Sequence, residues 1–147
     1  MIFWTAILLI VGTFWLMELI AWATHKYVMH GFLWKLHKDH HHVDKNRILE
    51  NNDAFFLIFA IPGAAFMVIG SSLLYIGIGI TLYGFAYFIV HEIFIHQRIK
   101  LFKRTRIPYL KAIRKAHKVH HKSLAKEDGS CFGMLIVPLK YLKEAKA

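Results

Sequence analysis

Residues 54–90 contain no charged side chain. A helix crosses the hydrocarbon core of a bilayer in about 20 apolar residues. This run is too long for one crossing and suits two helices folded back as a hairpin. Gly70-Ser71-Ser72 interrupts it with small and polar residues, which marks the expected turn. A second apolar stretch, residues 2–23, carries a single charge, Glu18, and suits one crossing. The chain has 147 residues, 56% of them hydrophobic, room for one domain over residues 1–147. The fold class is therefore an all-α integral membrane protein with about three to four transmembrane helices. The crossings are expected at about residues 2–24, 54–69 and 73–90, with water-side regions at 25–53 and 91–147.

Charge orients these crossings. The chain has 19 Lys and Arg, none before Lys26. All fall between Lys26 and Arg47 or between Arg98 and Lys146, on one side of a three-crossing arrangement. The positive-inside rule places that side in the cytoplasm, which for a bacterial chain means the inner face of the inner membrane. The net charge of +10 serves topology and attraction to anionic lipid, and it also suits an acidic soluble partner. Nucleic acid is not expected, because the basic residues flank membrane helices and no nucleic-acid fold signature is present. The single cysteine, Cys131, excludes an intrachain disulfide and a thiolate metal cluster.

The histidines sit just past the ends of the apolar segments. Of the 11 in the chain, all but His42 fall into two matching sets. His25 and His30 form HxxxxH, and His37, His40 and His41 form HxxHH; His91 and His96, then His117, His120 and His121, repeat the pattern. Neutral imidazole is the commonest protein metal ligand, and this many are too many for one ion. In HxxHH the spacings i, i+3 and i+4 make neighbours on a helix, so all three rings are expected to reach one small volume. In HxxxxH the two rings lie about 140° apart on an ideal helix. Either the helix ends or bulges between them, or they serve different ions, and a mixture is expected. His42 extends the run to three histidines and reads as a surface residue.

All-imidazole sites suit zinc, copper, iron or nickel. No Glu-x-x-His motif of the carboxylate-bridged di-iron bundles occurs. Carboxylates normally orient ligating histidines from behind, and Asp53, Glu92 and Glu18 are the candidates. A helix is expected from Pro108, with Leu110, Ile113, His117, His120 and His121 on one arc of about 100° and the lysines beside it. The apolar tail, residues 131–139, is too short to span and should lie at the interface or over the site. Residues 140–147 are expected to fray.

The stretches His25-Lys-Tyr-Val-Met-His30-Gly, Trp34-Lys-Leu-His37-Lys-Asp-His40-His41, Glu50-Asn-Asn-Asp53, His91-Glu-Ile-Phe-Ile-His96-Gln-Arg98, His117-Lys-Val-His120-His121 and Phe132-Gly133 resemble the fatty acid hydroxylase superfamily. Within it they are most similar to the bacterial β-carotene hydroxylases. The resemblance runs from about Glu18 to Pro138. It implies a non-haem di-iron monooxygenase that hydroxylates C3 and C3′ of β-ionone rings, converting β-carotene through β-cryptoxanthin to zeaxanthin. It implies that the ten box histidines hold two iron ions, with zinc a substitute in purified protein. It further implies O2 as co-substrate, and ferredoxin with its NAD(P)H-dependent reductase as electron donors. A carotene is a long apolar rod that can enter sideways from the bilayer, and Phe85, Tyr87, Phe88 and Phe94 are expected to line its path.

Three other readings stay open on the sequence. A carotenoid ketolase or a sterol or fatty acid hydroxylase would use the same boxes. A membrane metal transporter would place ligands near the bilayer midplane, where these apolar runs carry no histidine. A membrane cytochrome would ligate haem through paired histidines.

Overall fold

The computed structural model describes residues 3–42, 47 and 49–146. Helix α1 spans Phe3–Ala23 and continues as a π-helical segment, Thr24–Phe32, kinked at Gly31. Helix α2 spans Trp34–His41. A 3₁₀ turn, Asn51–Asp53, leads into α3, Ala54–Ile69. Helix α4 spans Ser71–Tyr87 and continues as a second π-helical segment, Phe88–Ile95. Helix α5 is Pro108–His120 and α6 is Leu139–Lys146. No strand occurs among the described residues.

Three helical runs are long and apolar enough to cross a membrane: Phe3–Phe32, Asn51–Ile69 and Ser71–Ile95. These fit a membrane protein. Their outward side chains are large and apolar, as lipid requires; Trp4, Leu8 and Trp15 of α1 and Phe56 and Val68 of α3 are all exposed. The start of the first expected crossing, Met1 and Ile2, lies outside the described residues, as does Ala147 at the other end.

Helix α4 is the centre of the membrane layer, packed against α3 on one side and α1 on the other. Glycines make both approaches possible. A Cβ on Gly77 would lie 2.6 Å from the carbonyl oxygen of Gly63, and one on Gly79 would lie 2.7 Å from that of Ile10. The α3–α4 turn is tighter than expected. Gly70 takes φ +78° and α4 already begins at Ser71, so Ser72 belongs to the helix. Pro62 is accommodated within α3.

Past the membrane ends, the first HxxHH box lies on a helix, α2, as its spacing assumed, and one element departs from the sequence reading. Residues 139–146 do not fray: α6 packs on α5 and buries Tyr141 against Ile113, Ala116 and Val137. That apolar contact is what orders an otherwise charged terminal helix. Pro108 takes the first position of α5, where its missing N–H is harmless. The tail packs over the histidines, with Met134 and Val137 buried.

Candidate metal centre

Both HxxxxH boxes meet a π-helical segment, and this resolves their spacing. In a π-helix the N–H of residue i+5 bonds to the carbonyl of residue i. The His96 N–H donates to the His91 carbonyl at 2.9 Å, and Leu33 donates to Val28 at 3.0 Å. Residues five apart are thereby brought onto one face. His25 and His30 join the same group, so the alternative in which they serve different ions is not what the fold builds.

Ten histidines converge beneath the tail. His25, His30, His37, His41 and His120 form one group, and His40, His96, His117 and His121 a second; within each, the nitrogens lie within 4.8 Å of one another. His91 borders the second group, its ring centroid 4.6 Å from those of His96 and His117. The HxxHH boxes divide otherwise than the sequence led us to expect. Positions i and i+4 go to one group (His37 with His41, His117 with His121), and position i+3 crosses to the other (His40, His120). Helical neighbours i and i+3 straddle the line between the groups. Each half of the chain therefore lends one ring to the other half's site.

Hydrogen bonds fix the rings from outside. The Nδ1–H groups of His25, His30, His41 and His120 donate to the carbonyls of Phe132 (3.0 Å), Lys126 (3.0 Å), Ser123 (2.9 Å) and Ser130 (2.7 Å). His37 donates to Asn52 Oδ1 at 2.6 Å, His40 to Glu50 Oε2 at 2.7 Å and His91 to Glu92 Oε1 at 2.6 Å. Every one of these partners is an acceptor only, so Nδ1 must carry the proton. The Nε2 atoms are then bare lone pairs aimed inward. His25 Nε2 and His37 Nε2 stand 3.1 Å apart, and His30 Nε2 and His120 Nε2 3.3 Å. Two lone pairs cannot hydrogen-bond each other, but a shared cation satisfies both. The buried Nε2 atoms of His40, His41 and His121 have no hydrogen-bond partner among the described residues. Orphaned imidazole nitrogens gathered in two groups are a donor set that fits metal ions.

Burial favours the neutral form of seven of these rings. Burial, reinforced by neighbouring imidazoles, lowers His96 from 6.5 to about 3. Burial lowers His37 to about 3 and His120 to about 3 against the opposing pull of their hydrogen-bond acceptors, and His41 to about 4. His40, His117 and His121 are pushed down in the same way.

Of the three carboxylates expected behind the ligands, Glu92 alone touches a histidine. Asp53 instead accepts the Glu50 N–H at 2.9 Å and pairs with Arg98 at 3.0 Å. Glu18 lies deeper. Its Oε1 accepts the backbone N–H groups of Met134, Leu135 and Ile136 at 3.0, 2.8 and 2.9 Å, and its Oε2 accepts the Tyr83 hydroxyl at 2.8 Å. It anchors residues 123–138, a strap whose Ser130 and Phe132 carbonyls hold His120 and His25. Sequence reasoning missed Glu50, Asn52 and Arg98. Arg98 ties Glu50 (2.7 Å), Asp53 and Glu92 (2.8 Å) together, and two of those acids hold rings of the second group. The polar run Glu50–Asp53 beside a histidine box was the available signal; the strap carbonyls gave none. His42 is exposed and, among the described residues, its side chain bonds to the Lys38 carbonyl, as its surface reading required.

A cavity of about 840 Å³ opens between α3 and α4 and reaches His25, His91 and His117. Phe85, Tyr87 and Phe88 line it as expected. Phe94 does not: it packs in the α5–α6 core with the Arg114 guanidinium 3.9 Å above its ring.

A family model described as fatty acid hydroxylase matches residues 10–140. A protein of Pseudescherichia vulneris named β-carotene hydroxylase is 38% identical over 81% of this chain and 69% of its own length. One from Pantoea ananas with the same name is 40% identical over 83% of this chain and 71% of its own. A third, from Paracoccus sp. (strain PC1), is 34% identical over 91% of this chain and 85% of its own. No solved structure matches.

Proposed function

Because this chain belongs to the fatty acid hydroxylase family, we propose that it is a β-carotene 3-hydroxylase, acting as one unit over residues 1–147. The observation that carries the proposal is the apolar cavity that ends on imidazole rings. Its lining suits a hydrocarbon rod, and His25, His91 and His117 sit where a terminal ring would stop. In this reading His25, His30, His37, His41 and His120 hold one iron ion, and His40, His91, His96, His117 and His121 hold another. Zinc is a substitute in purified protein. The iron pair, when bound, supplies reductive activation of O2 for attack on an unactivated C–H bond.

The chain's own residues do the rest. Glu50, Asn52, Glu92 and the strap carbonyls fix each ring's tautomer, leaving Nε2 free to ligate. Arg98 pairs with both Glu50 and Glu92 and keeps their oxygens turned toward the Nδ1–H groups of His40 and His91. The Phe132 ring, packed against His25, His30 and His120, closes the first group from water. Phe85, Tyr87 and Phe88 guide the rod so that carbons 3 and 3′ are presented in turn, β-cryptoxanthin being released between turns. The histidine side faces the cytoplasm of a bacterial inner membrane by charge placement. Ferredoxin and its NAD(P)H-dependent reductase supply electrons there.

Expression in a bacterium that accumulates β-carotene tests this reading. Pigment analysis should show zeaxanthin with β-cryptoxanthin. His41→Ala should abolish both products, and His42→Ala should leave them at the unsubstituted level. Echinenone would identify a ketolase instead. Unchanged carotene with newly hydroxylated sterol or fatty acid would identify a lipid hydroxylase.

A further inference from the structure

The outer face of α5 carries a feature that the histidine groups do not use. Lys103, Arg104 and Arg106 of the linker between the second π-helical segment and α5, with Lys111, Lys115 and Lys118 of α5, line one hollow of about 800 Å³. Glu144 pairs with Lys115 at 2.6 Å. Among the described residues no other carboxylate forms an ion pair with these cations. Arg114 builds the hollow: its Nη1 donates to the Lys103 carbonyl at 2.9 Å, and its Nη2 donates to those of Phe94 and Phe102 at 2.7 and 2.8 Å. The linker is thereby fastened to the helix, and its cations are held in place rather than tethered loosely.

The position of the hollow gives it a role. At 100° per residue Lys111, Lys115 and Lys118 form one stripe of α5, and His120 points from the opposite side. A single helix, about 10 Å across, separates the basic surface from the histidines. We propose that this hollow docks an acidic one-electron carrier protein, an inference that rests on the monooxygenase reading above. The reaction R–H + O2 + 2 H⁺ + 2 e⁻ → R–OH + H2O puts one oxygen atom into the C–H bond and releases the other as water. Its two electrons must come from outside, because this chain holds no glycine-rich dinucleotide fingerprint. Two carrier molecules, each oxidised by one electron, would deliver them in succession. A preorganised patch of one sign steers and seats a partner of the other. Anionic lipid is the competing occupant for the linker cations. The stripe favours a soluble protein, because it continues along α5 to Lys118, beside His117.

The test uses the full-length protein in phosphatidylcholine nanodiscs, with a plant-type [2Fe–2S] ferredoxin as the acidic probe. Lys111→Glu with Lys118→Glu should weaken ferredoxin binding about 10-fold or more and raise its apparent KM in NADPH-driven turnover by a similar factor. Iron content and kcat at saturating ferredoxin should stay at the unsubstituted values. Arg104→Gln with Arg106→Gln, outside the helix, should act in the same direction. The charge-matched control Lys140→Glu with Lys146→Glu should shift binding less than 2-fold. Salt should weaken the unsubstituted complex and affect the reversed variant little. Unchanged ferredoxin affinity in both hollow variants overturns the proposal. So does a loss seen only when phosphatidylglycerol is present, which would make the hollow a lipid site. The binding measurement needs no turnover, so an unsubstituted protein that binds ferredoxin but leaves carotene unchanged refutes the substrate reading alone.

Discussion

Arg98 shows how much one side chain beyond the histidines decides. It spends all three nitrogens on different carboxylates: Nη2 on Glu50, Nη1 on Asp53 and Nε on Glu92. Lysine has one charged centre and cannot reproduce that fork. Arg98→Lys should therefore free Glu50 or Glu92, loosen His40 and His91, and weaken metal binding at the second group about 10-fold or more. Iron titration of the detergent-solubilised variant checks this; retained affinity would show that the acids orient the rings unaided. The histidines themselves were legible because their spacing is a local property. Their partners were only partly so. Glu92 adjoins His91 in the sequence and was found. Glu50 and Asn52 meet His40 and His37 across 10 and 15 positions of sequence, a pairing that no local spacing marks. Glu18 was conspicuous as a charge within an apolar run, yet three of the four groups that bond to it are peptide N–H groups of residues 134–136, which no side-chain pattern marks.

At the scale of elements, the apolar runs and the one-sided α5 could be read directly, since burial leaves a periodic trace. The π-helical segments could not. Their signature is that HxxxxH rings share a face, which the sequence alone gives as one alternative among several. The splitting of HxxHH was hidden for the same reason: spacing names neighbours on a helix without saying where a boundary between two sites falls. Close helix approach is also a matter of partners rather than composition. A methyl group on Gly77 or Gly79 would strike backbone atoms of α3 or α1, which cannot rotate away, whereas nothing lies within 4 Å of the corresponding point on Gly84. Gly77→Ala and Gly79→Ala should each destabilise the helix layer by about 1–3 kcal/mol. Gly84→Ala, which projects into the open space beside α4, should be nearly neutral. Reversible unfolding in mixed detergent micelles ranks the three; equal behaviour would mean that α4 is not seated through these glycines.

For the whole molecule, the crossing of His40 and His120 between the groups makes the cap a single object. The membrane layer holds together through α4 and its glycines, without a histidine in those contacts. The cap is different: α2, both π-helical segments, α5 and the strap meet at imidazoles whose Nε2 lone pairs face one another. Without cations those lone pairs lose their water and gain no partner, which is unfavourable for each buried group. With cations the same atoms become the strongest link between the halves, and a bound ion stabilises the folded state by mass action. At free ion a thousand times the dissociation constant this amounts to about 4 kcal/mol per site. Stripping metal with a chelator should therefore lower the thermal midpoint markedly and expose residues 123–138 to protease. Helicity at low temperature should persist, because the α1–α3–α4 layer does not depend on the ions. Adding Fe²⁺ back should restore both the midpoint and the protection. His120→Ala should remove more than one ligand's share of that stabilisation, since it also releases the strap at Ser130. A metal-free protein that melts at the temperature of the loaded one would mean that the imidazoles are content without cations, and the ligand assignment would fall with the function built on it.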